Sequence, residues 1–492
     1  MKRMNKYFLL AALMGVAGTA YAQDTYDAQN FANSDLNGTA RFVAMGGALG
    51  ALGGDVSVMS TNPAGTGMYR SSDAAGSVSG VFTGDGAMGH DGARMSLDQG
   101  GVLIAFDMDN PTSKGLQFVN FGVNYQKKRN FLFNQLTDIN NLDGIFSQTY
   151  QIADLCNYSY ANNYWGTIAD MSASKEGVHD GILDETGEYG YAGIPADRAY
   201  FEKSTFGAHT QADVNLSFNV SDQFFFGASV GVYDIDYNRE SFYQEIGTDG
   251  STYDFTNWYK TEGDGFDVKL GFICRPIEES PFRFGVTVHT PIWYHLTDAN
   301  GADLFMNDKY LSSGSNAEYD YRFRTPWKFG VSLGHTIANK FAIGAEYEFQ
   351  DMSTMHYSEV DGYGSDYFRN QNNLMKQTLR GQHTLKVGAE FKPIEELSFR
   401  VGYNFVSSPF KKDAYRTIGY DGVYTETDYT NWGNINRFTL GLGYRYKGGY
   451  VDLAWQYQAQ KGDFYAFDEV DLKPTKIDAN RSQLMATFGF RF

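Results

Sequence analysis

Apolar and polar residues alternate with period two over stretches of about eight to ten residues along most of the chain. In "QADVNLSFNV", Ala212, Val214, Leu216, Phe218 and Val220 share one face, and Gln211, Asp213, Asn215, Ser217 and Asn219 share the other. The same pattern runs through "FDVKLGFIC", "LSFRVGYNF" and "NRFTLGLGYRYK". It is the signature of a strand with lipid on one side and a polar lumen on the other. None of these apolar faces carries a charge, where a Lys or Arg near the bilayer midplane would cost about 2–4 kcal/mol. Strands of soluble sandwiches are typically about 5–6 residues long, whereas a tilted spanning strand needs about 9–11. The pattern therefore predicts a transmembrane β-barrel.

The predicted strands are 73–82, 101–109, 115–130, 209–220, 223–240, 263–275, 281–295, 318–336, 340–351, 382–392, 396–407, 435–447, 449–461 and 481–492, an even set of fourteen, as single-chain bacterial barrels require. The even-numbered strands are followed by short connections: "PTSK", "SDQ", "PIEES", "ANK", "PIEE" and "KGG". The odd ones are followed by longer polar segments. This asymmetry predicts periplasmic turns, outer loops and both termini in the periplasm. The longest loop, about 131–208, contains "YANNYWGTIAD" and is expected to fold over the mouth, as a ligand vestibule or as an ordinary aromatic surface loop. In the fifth strand Asp234 and Asp236 continue the apolar face of Phe224 to Val232. That calls for a bulge or for a strand end above the membrane. Pro326, in "RTPWKFGVSLG", predicts a bend, a bulge or local unpairing.

Composition supports one large all-β unit over several domains: 38 Phe, 35 Tyr and 55 Gly stand against only 10 Pro. Lys2, Arg3 and Lys6, the apolar "YFLLAALMGVAG" and Ala20-Tyr21-Ala22 read as a signal peptide over 1–22, cleaved before Gln23. No Cys follows that site to carry a lipid anchor, and no later run approaches the roughly 20 apolar residues of a spanning helix. The net charge of −18 argues against nucleic-acid partners. Export permits a disulfide between Cys156 and Cys274, although Cys274 falls on a lipid-facing position. At the other end of the chain, Leu484, Ala486, Phe488, Phe490 and Phe492 share one face. This ending resembles the signal read by the outer-membrane barrel assembly machinery.

Residues 23–72 do not alternate. Gly47, Gly50 and Gly53 are spaced to let a short helix pack closely, and glycine lets the backbone turn tightly and approach a wall. A phosphate-binding loop is excluded, because no strand precedes the run and no Lys-Ser/Thr follows it. A compact segment of this size, entering from the periplasm, is suited to fill the lumen. The stretch "GTARFVAMGGALGALGGDVSVMSTNPAGTGMYR" carries Gly46, Gly47, Gly50, Gly53, Gly54 and Asp55, then Asn62-Pro63-Ala64-Gly65 and Gly67. It resembles the N-terminal hatch of the FadL/TodX family of outer-membrane transport proteins, and the signal peptide, strand count and terminal Phe492 extend the resemblance over the chain.

The resemblance implies an all-β fold: a fourteen-stranded antiparallel transmembrane barrel over 73–492, plugged by a hatch over 23–72. It implies passive transport of hydrophobic small molecules such as long-chain fatty acids, by a monomer without cofactor, metal or catalytic residues, set in outer-membrane lipid. Family members catch ligand near the outer loops, hold it in apolar pockets, and release it after a hatch movement through a gap beside a kinked third strand. Here Gly122, the only glycine of "LQFVNFGVNYQKKRN", is the kink candidate, with Asn120 and Asn124 beside it. The family's capture site lies under the third and fourth outer loops, whereas the second is longest here. Some relatives are labelled hemin receptors, so His289 and His295, with Tyr294 between them, are the residues to test for iron. A surface receptor or adhesin anchored by the barrel, and a diffusion porin, are the competing functions. No Ser/His/Asp or metal constellation supports an enzyme.

Overall fold

A computed structural model describes residues 25–492 apart from 111, 113, 151–152, 154–183, 186–190, 307–308, 313–316, 361–367, 413, 415–427, 468 and 470. The expected signal peptide, "YANNYWGTIAD" and Cys156 lie outside the described residues. Fourteen antiparallel staves close into a barrel. They are β1 (Asp73–Phe82), β2 (Ala93–Asp107), β3 (Leu116–Asn130, continued by Phe133–Ile139), β4 (Ala196–Val220) and β5 (Phe224–Gly247). Then come β6 (Thr252–Cys274), β7 (Arg283–His289 and Trp293–Met306), β8 (Ala317–Arg324 and Lys328–Ile337) and β9 (Phe341–Asp351 and His356–Glu359). The circuit ends with β10 (Gly381–Phe391), β11 (Leu397–Val406), β12 (Tyr429–Tyr446), β13 (Gly449–Tyr465) and β14 (Thr475–Asp478 and Arg481–Arg491). The seam is β1 against β14, from Asp73↔Arg491 to Phe82↔Ser482. Ser72 and Phe492 lock it by exchanging backbone hydrogen bonds of 3.0 and 3.1 Å.

The predicted apolar faces point outward. Val214, Leu270, Val401, Leu440 and Phe490 are each about half exposed, and Phe488 and Phe492 more so. Trp293 and Trp327 face outward toward the loop end, and Phe341 stacks on Phe391 (4.7 Å) at the turn end. An apolar band between aromatic girdles is what a bilayer selects. No helix among the described residues is long and apolar enough to cross a membrane.

Several boundaries differ from expectation. β2 starts at Ala93 rather than 101, with Met95 and Leu97 outward in a stretch that glycines and charges disguise. β4, β5 and β6 run to 25, 24 and 23 residues. Phe133–Ile139 pairs with Thr205 to Ala199, so both ends of the expected loop 131–208 are wall. Beyond the lipid an outward position no longer has to be apolar, and the period-two signal fades. β5 pairs with β6 from Phe224↔Cys274 to Ile246↔Thr252 without a shift. Asp234 and Asp236 are therefore exposed on a strand that rises past the membrane, not on a bulge. Pro326 does break β8, over 325–327. Pro291 breaks β7 level with it: Thr325 N donates to Ile292 O (3.1 Å) and Ile292 N donates to Thr325 Oγ1 (2.8 Å).

Inside the barrel lies a plug made of helix α1 (Thr25–Ala32), helix α2 (Ala40–Ala44) and two 3₁₀ turns, Val56–Ser60 and Pro63–Met68. Its start lies toward the loop end: Phe31 packs edge-on to Phe131 and Tyr237, and Tyr26 stacks on Phe410 (5.5 Å) beside Tyr429. This corrects the expected entry from the periplasmic side. The described plug descends from the loop end and reaches the turn end where β1 begins.

The plug backbone comes closest to the wall where the wall has no side chains. Gly334, Gly344, Gly388 and Gly402 form one directly paired row across β8 to β11. A Cβ on Gly344 would lie 2.0 Å from Ala48 O, and one on Gly388 2.2 Å from Met45 O. On the opposite side Gly227 pairs with Gly271, against Pro63 and Asn62. Forcing a side chain into such contact costs about 1–3 kcal/mol or more. Gly388→Val is therefore expected to lift the plug, seen as faster proteolysis of residues 25–72 and higher ion conductance in planar bilayers. Gly100→Ala, whose added Cβ meets nothing within 4 Å, is expected to leave both unchanged.

Candidate functional site

The hatch residues form the junction between plug and wall. Asn62 Oδ1 accepts from Ala64 N (3.2 Å) and caps the 3₁₀ turn, while its Nδ2 donates to Gly50 O (3.0 Å). Pro63 follows at the first position of the turn, where a missing N–H costs nothing. Gly46, Gly47, Gly53 and Gly54 all have φ between 60° and 80°, which allows the two tight turns on either side of Leu49. Gly50 N donates to Glu346 Oε2 of the wall (3.1 Å). Gly67 would place a Cβ 3.1 Å from Phe218 O of the wall, whereas Gly65 packs inside the plug against Val58 and Gly53. Asp55 accepts from Thr39 Oγ1 (2.8 and 2.9 Å) and Ser57 N (2.9 Å), tying the plug's two halves together.

Wall side chains satisfy the plug's irregular backbone. Asn120 Nδ2 donates to Thr66 O (2.7 Å) and Tyr69 O (3.1 Å). Arg491 of the wall donates to Gly54 O (3.1 Å), which also accepts from Arg41 of the plug itself (2.8 Å). Thr66 Oγ1 lies 2.7 Å from Asn215 Oδ1, and Ser229 Oγ donates to Met59 O (3.0 Å). A buried backbone without regular secondary structure needs such partners.

Gly122 lies in an unbroken ladder, paired with Leu103 and with Asn215, so the expected kink is absent there. The irregularities of β3 fall between Leu116 and Phe118, between Lys127 and Arg129, and at 131–132. Gly122 instead makes room for the plug, since its Cβ would sit 2.2 Å from Met59 Cε. Asn124 accepts from Gln99 Nε2 (2.8 Å) within the wall.

Ion pairs add a second set of ties. Asp35 binds Arg481 (2.8 Å), lies 3.9 Å from Arg437, and accepts from Asn130 N (3.0 Å). Burial alone would raise its carboxyl, but Arg481, Arg129 and Arg437 outweigh that and hold it below the usual carboxylate value. Arg41 binds Glu390 (3.2 Å), which also binds Arg400 (2.6 Å). Within the wall, Lys269 bridges Asp213 and Asp267, and Lys386 bridges Glu346 and Glu348.

Toward the loop end the interior changes character. Tyr233, Tyr237, Tyr294, Tyr321, Phe323 and Tyr357 form a buried aromatic cluster over α1, capped by α3 (Arg369–Thr378). A second cluster, with Phe201, Tyr243, Phe255 and Phe464, lies nearer the rim. These rings pack on one another. Cavities of about 110 and 140 Å³ beside Asp35 are lined by charged side chains such as Arg437 together with apolar ones such as Phe42 and Phe131, so that polar and apolar surface are mixed in both.

The histidines do not converge. His289 points inward to Thr61 O (2.7 Å), His295 is exposed on the outside, and Tyr294 bonds His209 (2.8 Å). Among the described residues no group of three His, Cys, Asp or Glu is placed to hold a metal ion. Alternation placed Asn215 on a polar face and did not single out Glu346 or Glu390. Which plug atom each meets depends on register, for which the sequence carries no local signal.

No family model and no curated protein matches this sequence. Solved structures do. A Pseudomonas aeruginosa FadL homologue is 13% identical over 94% of this chain and 98% of its own, with a TM-score of 0.51. The Ralstonia pickettii toluene transporter TbuX is 13% identical over 93% and 99%, also at 0.51. The likeness shows that this chain has their fold.

Breaking a buried ion pair from one side typically costs about 3–5 kcal/mol. Asp35→Asn is expected to loosen the plug, measured as faster amide exchange over residues 25–40 at pH 7. Because the carboxyl is depressed from 3.8, its contribution is complete above that value and is lost as pH falls below it. Acidification is therefore expected to speed exchange over residues 25–40 more in the wild type than in the Asn variant, whose remaining response comes from the other carboxylate ties of the plug, Arg41–Glu390 among them.

Proposed function

We propose that this chain is an outer-membrane channel of the FadL/TodX type that passes hydrophobic small molecules, long-chain fatty acids among them, without an energy source. The observation that carries this reading is the two-part lumen: a loop-end interior walled by aromatic rings, closed below by a plug docked through polar contacts. Aromatic faces suit apolar ligands, and the polar plug closes the path to water and ions. Transport then requires the plug to shift. The gate residues Asn120 and Gly122 act in this reading through the plug they contact or accommodate, and Asn124 through its bond to Gln99 in the wall, with the junction from Asn62 to Gly67 as the moving part. The signal over 1–22 directs export, and Phe488, Phe490 and Phe492 serve assembly of a monomeric barrel in outer-membrane lipid.

Deletion of residues 23–72 behind an intact signal tests this. The truncated barrel is expected to conduct ions at least tenfold better in planar bilayers. Cells lacking the intact protein are expected to take up labelled oleate or toluene more slowly, with uptake of a sugar unchanged. Unaltered conductance would overturn the plug, and unaltered uptake of hydrophobic compounds would overturn the transport role. Loss of cell-surface binding with normal uptake would favour the receptor reading.

A further inference from the structure

At the turn end, beneath the plug, lies a cavity of about 370 Å³. Seven basic side chains line it against four acidic ones, an excess of three positive charges. Four of the seven are engaged: Arg41, Lys392 and Arg400 bind Glu390, and Arg491 binds Asp73. The other three, Arg283, Lys340 and Arg445, make no ion pair among the described residues. Arg283 donates from Nη1 to Leu52 O of the plug (2.8 Å), while its Nε is buried and has no partner. Arg445 lies over the Tyr450 ring (5.7 Å) and makes no side-chain hydrogen bond to the plug. Leu52, Met68, Phe341 and Tyr450 give the same cavity apolar surface.

A buried guanidinium edge without an acceptor is costly. The group that satisfies it best is an oxyanion, through paired charge-assisted bonds in one plane. We propose that this cavity binds an oxyanion head group, a carboxylate or a phosphate, among the Arg283, Lys340 and Arg445 side chains that line it without an ion pair, with the Arg283 guanidinium turning its buried Nε edge to the occupant. The neighbouring apolar surface holds the first carbons of an attached chain. The site lies against the plug at Leu52, so an occupant rests on the turn-end face of the plug. The proposal stands on the charge and shape of this cavity and does not depend on the transport reading. A failed uptake experiment leaves it intact, and the converse also holds.

The test is calorimetric titration of the purified full chain in neutral detergent with octanoate, octanol and inorganic phosphate. Octanoate is expected to bind at least tenfold more tightly than octanol. Arg445→Gln, which removes no plug contact, is expected to weaken octanoate at least tenfold and leave octanol unchanged. Arg283→Gln is expected to do the same, and Arg283→Lys to restore part of the affinity through charge alone. Competition between phosphate and octanoate assigns the site to oxyanions in general, and binding of octanoate alone assigns it to amphiphiles. Equal affinity for octanoate and octanol, or wild-type octanoate affinity in Arg445→Gln and Arg283→Lys together, overturns the proposal.

Discussion

The architecture rests on one steric constraint: the plug backbone lies against the wall backbone. Ala48 O and Met45 O sit where the Cβ atoms of Gly344 and Gly388 would be, and Gly46 N would be 2.2 Å from a Cβ on Gly402. Contact this close removes the space that water or a solute would need. It also forces the plug to turn sharply, which is why Gly46, Gly47, Gly53 and Gly54 carry positive φ. Glycines on both partners thus serve one interface, the wall set by lacking side chains and the plug set by conformational freedom.

Close approach creates a second requirement. A plug without long helices or strands buries many N–H and C=O groups that no ladder satisfies. The lumen answers with side chains, among them Asn120, Thr439, Asn404 and Arg491, each donating to a plug carbonyl. The polar faces of several staves therefore supply specific donors and acceptors for the plug, while others pair within the wall, as Lys269 does with Asp213 and Asp267. The loop-end interior, where α1 is already helical, needs few such donors and is built of aromatic rings instead.

Much of the wall was legible because lipid imposes a simple rule on every second residue. Leu270, Val401 and Leu440 obey it, and so do the terminal phenylalanines. The rule lapses where lipid ends, which hid the upper reaches of β4 to β6 and the polar start of β2. The plug was legible from its glycines and Asn62-Pro63, but its direction was not, since a segment without alternation carries no sign of which end lies near the loops. Gly122 shows the limit most clearly. A lone glycine in a strand suggests a kink, yet here it answers a bulky partner, Met59, more than 60 residues away in the sequence. The two histidines of β7 show another. His289 and His295 are both in or near one stave, but Pro291 interrupts the strand between them, and they finish on opposite faces.

The intact ladder at Gly122 bears on how such a barrel would open. Parting β3 from a neighbour would expose backbone N–H and C=O groups to hydrocarbon, at several kcal/mol for each unsatisfied group. Lifting the plug breaks a different kind of contact. The bonds from Asn120 to Thr66 and Tyr69, and from Arg283 to Leu52, lie inside the barrel, and once the plug is displaced water can take up their donors and acceptors. The wall is thus held by bonds with no substitute partner, and the plug by bonds with one. In the proposed mechanism, displacing the plug is therefore less costly than parting the wall, and the glycine rows present no side-chain obstacle to it.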